Sequence, residues 1–136
     1  MHHKDTKGTK VEELETDGLS RRVIGLAIDV HRAIGPGLLE SAYEECLCRE
    51  LELQAIPFAR QLSIPVEYKG KRLDCGYRLD LLVDRRLIVE VKAAERLLPI
   101  HDAQLLTYMR LANIRIGLLM NFHSLTLKDG IRRLVL

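Results

Sequence analysis

Between Arg72 and Ala93 the chain reads as two long runs with period-two alternation, interrupted only by the charged triplet Asp84-Arg85-Arg86. That pattern commits this stretch to a β-hairpin. On the second strand Leu87, Val89 and Val91 share one face, while Ile88, Glu90 and Lys92 share the other. On the first strand Tyr77, Leu79, Leu81 and Val83 form the apolar set, which leaves Arg78, Asp80, Leu82 and Asp84 opposite. In an antiparallel pair, opposed residues keep a constant index sum, so the loop length sets the register. A three-residue loop pairs Val83 with Leu87 and brings Asp80 opposite Glu90. A two-residue loop pairs Asp80 with Val91 and sends the two acids to different faces, as any one-residue slip does. The expected loop is Asp84-Arg85-Arg86.

The segments around the hairpin supply helices and further strands. Residues 1–18 are polar, carry two glycines and lack apolar periodicity, and are expected to be a flexible tail; residues 19–136 are expected to be one domain. From Leu19 the positions Val23, Ala27, Val30 and Ile34 recur at helical spacing until Gly35-Pro36-Gly37 stops the helix. A second helix is expected from Leu38 to Leu53, with Leu39, Ala42, Cys46 and Leu47 as its core stripe. Alternation through Leu62, Ile64, Val66 and Tyr68 predicts a strand in which Pro65 marks an edge or a bulge, and Lys69-Gly70 turns into the hairpin. Pro99 opens a third helix to about Asn113, and Ile114 to Phe122 suits a strand buried on both faces. Residues 127–136 read as a last strand or a short helix. A helix between the third and fourth strands is a crossover, so that pair is expected to be parallel and the preceding meander antiparallel. The fold class is therefore α/β, a mixed sheet covered by helices.

Composition excludes several functions. At 136 residues, 47% hydrophobic and with no run of ten apolar residues, the chain is large enough for a real core; neither a membrane span nor a secretory signal is expected, so a cytoplasmic location is. Three cysteines is an odd count, with Cys46 and Cys48 two apart on a helix; they are read as reduced, small apolar fillers rather than zinc ligands. The net charge of +2 lacks the excess of a nucleic-acid coat protein, but residues 1–20 carry −2 of it, leaving +4 beyond them. Part of that is in the pairs Arg21/Arg22, Lys71/Arg72, Arg85/Arg86 and Arg132/Arg133, which suit phosphate contact or ordinary solvated surface.

The chemistry concentrates on the hairpin. Opposed carboxylates with Cβ atoms roughly 4.5–5.5 Å apart destabilise a bare sheet. A hard divalent ion relieves that repulsion by taking one or two carboxylates plus waters and substrate oxygens. Lys92, two residues beyond Glu90, is then placed to act on a water that the ion makes more acidic, or on developing phosphorane charge. The plainer alternative has Asp80, Glu90 and Lys92 decorating a solvated sheet face. His31, on the first helix among apolar neighbours, reads as a satisfied core histidine.

Further motifs resemble a known family. Gly37-Leu38-Leu39-Glu40-Ser41-Ala42-Tyr43 matches the GxxExxY signature that names a family of small bacterial and archaeal proteins assigned to the PD-(D/E)xK nuclease superfamily. Gly76-Tyr77-Arg78-Leu79-Asp80, Glu90-Val91-Lys92-Ala93 and the segment Pro99 to Tyr108 resemble its later blocks, in the same order. The proline of the superfamily name is absent, since Leu79 precedes Asp80. The resemblance implies a restriction-endonuclease-like αβββαβ core with an extra N-terminal helix. It also implies a site in which Asp80 and Glu90 bind Mg²⁺ or Mn²⁺ with the Val91 carbonyl, and Lys92 assists the attacking water. Glu40 would add an acid from the first core helix, or simply complement that helix's dipole. Tyr43, one turn on, is expected to brace Glu40 or contact substrate. His101, Gln104 and Tyr108 share one helical face and are expected to border substrate. The implied activity is metal-dependent hydrolysis of nucleic acid, DNA ahead of RNA. The alternative is a non-catalytic module of the same fold that binds nucleic acid or protein, and a homodimer is left open.

Overall fold

A computed structural model describes residues 6–136, with side chains from residue 18 onward. The tail expected over residues 1–18 lies, but for Gly18, outside the residues described with side chains. Two helices, α1 (Thr6–Ile34) and α2 (Glu40–Leu53), lead into a meander of β1 (Phe58–Tyr68), β2 (Lys71–Val83) and β3 (Leu87–Lys92). A crossover helix, α3 (Pro99–Ala112), returns the chain to β4 (Ile116–Asn121); a short 3-10 turn, Leu127–Gly130, precedes β5 (Ile131–Val135). The five strands form one sheet in sequence order. The meander pairs antiparallel, β3 and β4 pair parallel, and β5 closes the edge antiparallel to β4. This is an α/β, restriction-endonuclease-like αβββαβ arrangement running from α2 to β4, preceded by the extra helix α1.

The sheet separates two apolar layers. On one side Val23, Ala27 and Val30 of α1 and Tyr43, Leu47 and Leu51 of α2 pack on Leu87, Val89 and Val91. On the other, Leu105 and Met109 of α3 pack on Ile64, Leu79, Ile88 and Leu119. Alternation in β3 thus divides as its sequence predicts, and β4 is buried along its whole length. His31 is buried, with Nε2 2.8 Å from the Ser124 carbonyl oxygen. A bulge falls between Ile64 and Val66, where Pro65 cannot donate to a ladder.

Three expectations of burial are corrected. Ile34 and Leu39 are 37% and 78% exposed, because α2 begins only at Glu40, after Leu39, and its buried stripe is Tyr43, Leu47 and Leu51. Cys48 lies in the core with Cys46 against it, but Cys75 is exposed on the hairpin; all three are free thiols. Burial pushes the Cys48 thiol up to about 11, which keeps it protonated.

The apolar set of β2 is also divided. Leu81 and Val83 belong to the α1/α2 layer, whereas Leu79 belongs to the α3 layer. The cause is in β1, where Gln61 adopts a left-handed backbone (φ 54°) in the middle of the strand. The ladder runs Arg60↔Leu81 and then Leu62↔Leu79, so the face changes at the intervening Gln61 and Asp80.

Candidate functional site

The register that juxtaposes Asp80 and Glu90 comes from the loop. Asp84 and Arg85 both take left-handed conformations (φ 49° and 58°), and the Arg86 N–H donates to the Val83 carbonyl at 3.0 Å. Val83 therefore opposes Leu87, Leu82 opposes Ile88 and Leu81 opposes Val89, the three-residue-loop register. Regular pairing ends at Leu81 and Val89. One step further, side chains take over from the ladder: the Asp80 N–H donates to Glu90 Oε2 at 2.9 Å, and the Val91 N–H donates to Asp80 Oδ2 at 2.8 Å. Each acid is held by the other strand's backbone.

Electrostatics at this point are unfavourable for two bare charges. Glu90 is only 4% exposed, and burial, then the charge of Asp80, push its carboxyl up to about 8. Asp80 is raised too, first by burial and slightly by Glu40, against the lowering influence of the Val91 N–H, Gln61 and Lys92. The two acids titrate as a pair, and the more buried Glu90 is the one that keeps the proton. Lys92 lies close enough for its charge to lower both carboxyls. Among the described residues no group of three or more His, Cys, Asp or Glu gathers around one point. Two hard oxygen donors with room left for water suit an ion such as Mg²⁺, which keeps much of its hydration, better than they suit zinc.

The other predicted residues divide into those near the pair and those committed elsewhere. Glu40, exposed at the start of α2, is near enough to influence Asp80. Tyr43, expected at substrate, is instead fully buried: its ring stacks on Phe122 with centroids 4.6 Å apart. Its hydroxyl donates to the Gly35 carbonyl at 2.6 Å and accepts the Leu38 N–H at 3.0 Å, so it pins the loop before α2. On α3, Gln104 Nε2 donates to the Tyr108 hydroxyl at 3.0 Å. Burial, then the neighbouring Glu90, raise the Tyr108 phenol, which places this end of α3 over the acidic pair. Tyr77 meets Tyr108 at 6.1 Å between ring centroids. His101 Nδ1 accepts the Leu98 N–H at 2.9 Å and is engaged in capping α3.

Sequence reasoning missed Glu44, Arg60, Gln61 and Asn121. Glu44 is buried on α2, ion-paired with Arg60 at 2.5 Å, and accepts from Gln61 Nε2 at 2.9 Å. Gln61 Nε2 also donates to Asp80 Oδ1 at 3.2 Å. The available signal was the i, i+4 spacing of Glu40 and Glu44, which puts both on one helical face. Asn121, opposite Lys92 on β4, clamps the Ala94 backbone through both ends of its amide, at 3.0 and 2.9 Å. That clamp holds the chain just beyond Lys92.

The comparisons agree with this architecture. No curated protein and no solved structure matches the chain. The family model described as the PD-(D/E)XK nuclease superfamily matches residues 17–134, which takes in every strand and all the residues discussed above from Glu40 onward except Val135 of β5. Superfamily members generally use divalent metals and act on nucleic acid. The chain belongs to the PD-(D/E)XK nuclease superfamily.

Proposed function

We propose that this protein is a Mg²⁺- or Mn²⁺-dependent nuclease of the GxxExxY type that hydrolyses phosphodiester bonds, DNA ahead of RNA. The observation that carries the reading is the meeting of Asp80 and Glu90 at the frayed end of the hairpin, each gripped by the opposite strand's N–H. Asp80, Glu90 and the Val91 carbonyl are the ion ligands in this reading, and Glu40 completes the acidic rim from α2. A bound ion would supply the positive charge that relieves the pair and the Lewis acidity that polarises a phosphoryl oxygen. Lys92 Nζ, within electrostatic reach of both acids, donates N–H bonds to the attacking water or to phosphoryl oxygens and offsets developing negative charge. Gln104, exposed on α3 above the pair, supplies an amide for a nucleotide backbone, with Tyr108 fixing its orientation. The free His101 Nε2 extends the same polar edge.

The test is incubation of the purified chain with single-stranded, duplex and branched DNA and RNA, with and without Mg²⁺ or Mn²⁺. Metal-dependent cleavage by wild type, lost by at least roughly 100-fold in Lys92→Ala, is the expected result. Equal inactivity of both on every substrate would overturn it in favour of a binding module.

A further inference from the structure

We propose that Gln61 is a positioning residue for this centre: its side-chain amide ties Asp80 to Glu44 and holds the Asp80 carboxylate in the orientation an ion needs. The proposal rests on the reading of Asp80 and Glu90 as ion ligands.

Gln61 is exposed and sits mid-strand, yet its backbone is left-handed at φ 54°, a region that residues with a Cβ seldom occupy. An ordinary surface position on a strand gives no reason for that conformation. What accompanies it is a change of face: Arg60 turns toward α2 to meet Glu44, and β2 changes face at the opposing Asp80. The amide nitrogen then lies 2.9 Å from Glu44 Oε1 and 3.2 Å from Asp80 Oδ1. Both partners are carboxylate oxygens, which only accept, so the side chain must present its NH₂ and spends one hydrogen on each.

The far end of this bridge is rigid. Glu44 is buried at 5% exposure, belongs to α2, and has its charge matched by Arg60. The near end leaves Asp80 with one donor on each oxygen, Gln61 on Oδ1 and the Val91 N–H on Oδ2. A carboxylate oxygen has two lone pairs, so each keeps one for an ion. A neutral donor suits this task better than a cation, because a lysine or arginine at the same place would cancel the charge that attracts the metal. Groups that orient a metal's ligands commonly matter to affinity nearly as much as the ligands themselves.

The experiment compares wild type, Gln61→Gly, Gln61→Met and Asp80→Asn by calorimetric titration with Mn²⁺ and by thermal melting in EDTA. Glycine accepts the left-handed backbone, and methionine keeps the length without the donors. The expected result is Mn²⁺ affinity weakened roughly 10- to 100-fold in both Gln61 variants, with melting temperatures in EDTA close to wild type. Loss of binding in Asp80→Asn together with wild-type affinity in both Gln61 variants would overturn the role of Gln61 and leave the ion-ligand reading standing. Absence of Mn²⁺ binding in wild type, or its persistence in Asp80→Asn, would overturn both. Should the Gln61 variants fail to fold, the side-chain NH₂ resonances of Gln61 in wild type decide. Signals displaced from those of a free glutamine and moved by Asp80→Asn support the bridge, and free-glutamine signals overturn it.

Discussion

Glu90 carries the clearest consequence at the scale of one residue. Its carboxyl is raised from 4.5 to about 8 in the folded chain, by burial first and by Asp80 second. Below 4.5 the group is protonated whether the chain is folded or not, so the stabilisation is fully present there. As pH rises, the unfolded chain ionises first, and stability is lost until the folded group also ionises near 8. Metal-free protein is therefore expected to melt at progressively lower temperature between about pH 4.5 and about pH 8, and Glu90→Gln to flatten that slope. Melting curves in EDTA across this range check it, and a wild-type slope no steeper than that of the variant would contradict it. Tyr43 is the contrasting residue. Its place in the GxxExxY motif suggests chemistry, but both of its hydrogen-bonding roles are spent on the loop at Gly35 and Leu38.

Among the elements, α3 shows how packing delivers polar groups to the site. It lies close on β4 because position 117 has no side chain: a Cβ there would meet Met109 Sδ at 2.8 Å and Leu105 at 3.0 Å. Gly117→Ala is expected to destabilise the fold by roughly 1–3 kcal/mol through overpacking, read from denaturant titration, and to shift Gln104 and Tyr108 relative to the acidic pair. Unchanged stability would mean that the helix has slack to move. The β2–β3 hairpin was legible in advance because a period-two pattern and a charged triplet leave few registers that bury Leu87, Val89 and Val91 together. The change of face at Asp80 was not legible, since it originates in one backbone angle on β1 that glutamine's own preferences do not suggest. Nor was the start of α2: Leu39 has apolar character but caps the helix from outside and stays exposed.

For the molecule as a whole, two apolar layers back on to one sheet, and the acidic pair sits where the regular pairing of the central strands stops. No described helix is long and apolar enough to cross a membrane. An ion that binds only the folded arrangement couples the site to the stability of the entire domain. At about 100 times its dissociation constant, Mn²⁺ is expected to add about 2.7 kcal/mol. For a chain of 136 residues that corresponds to a rise in melting temperature of roughly 10 °C. Asp80→Asn is expected to abolish the rise; scanning calorimetry with and without Mn²⁺ measures it, and an equal rise in the variant would move the ion elsewhere.

What the sequence determined by itself was everything that follows from local periodicity and loop length: the order of elements, the parallel crossover and the register that brings Asp80 toward Glu90. These are short-range properties, written in neighbouring residues. Tertiary structure decided the rest, namely the burial of Glu90, the diversion of Tyr43 into the core, and the Arg60–Glu44–Gln61 chain leading to Asp80. Those depend on which residues from distant segments share a desolvated space, because both the cost of burying a charge and the hydrogen bonds that offset it exist only once the layers have closed.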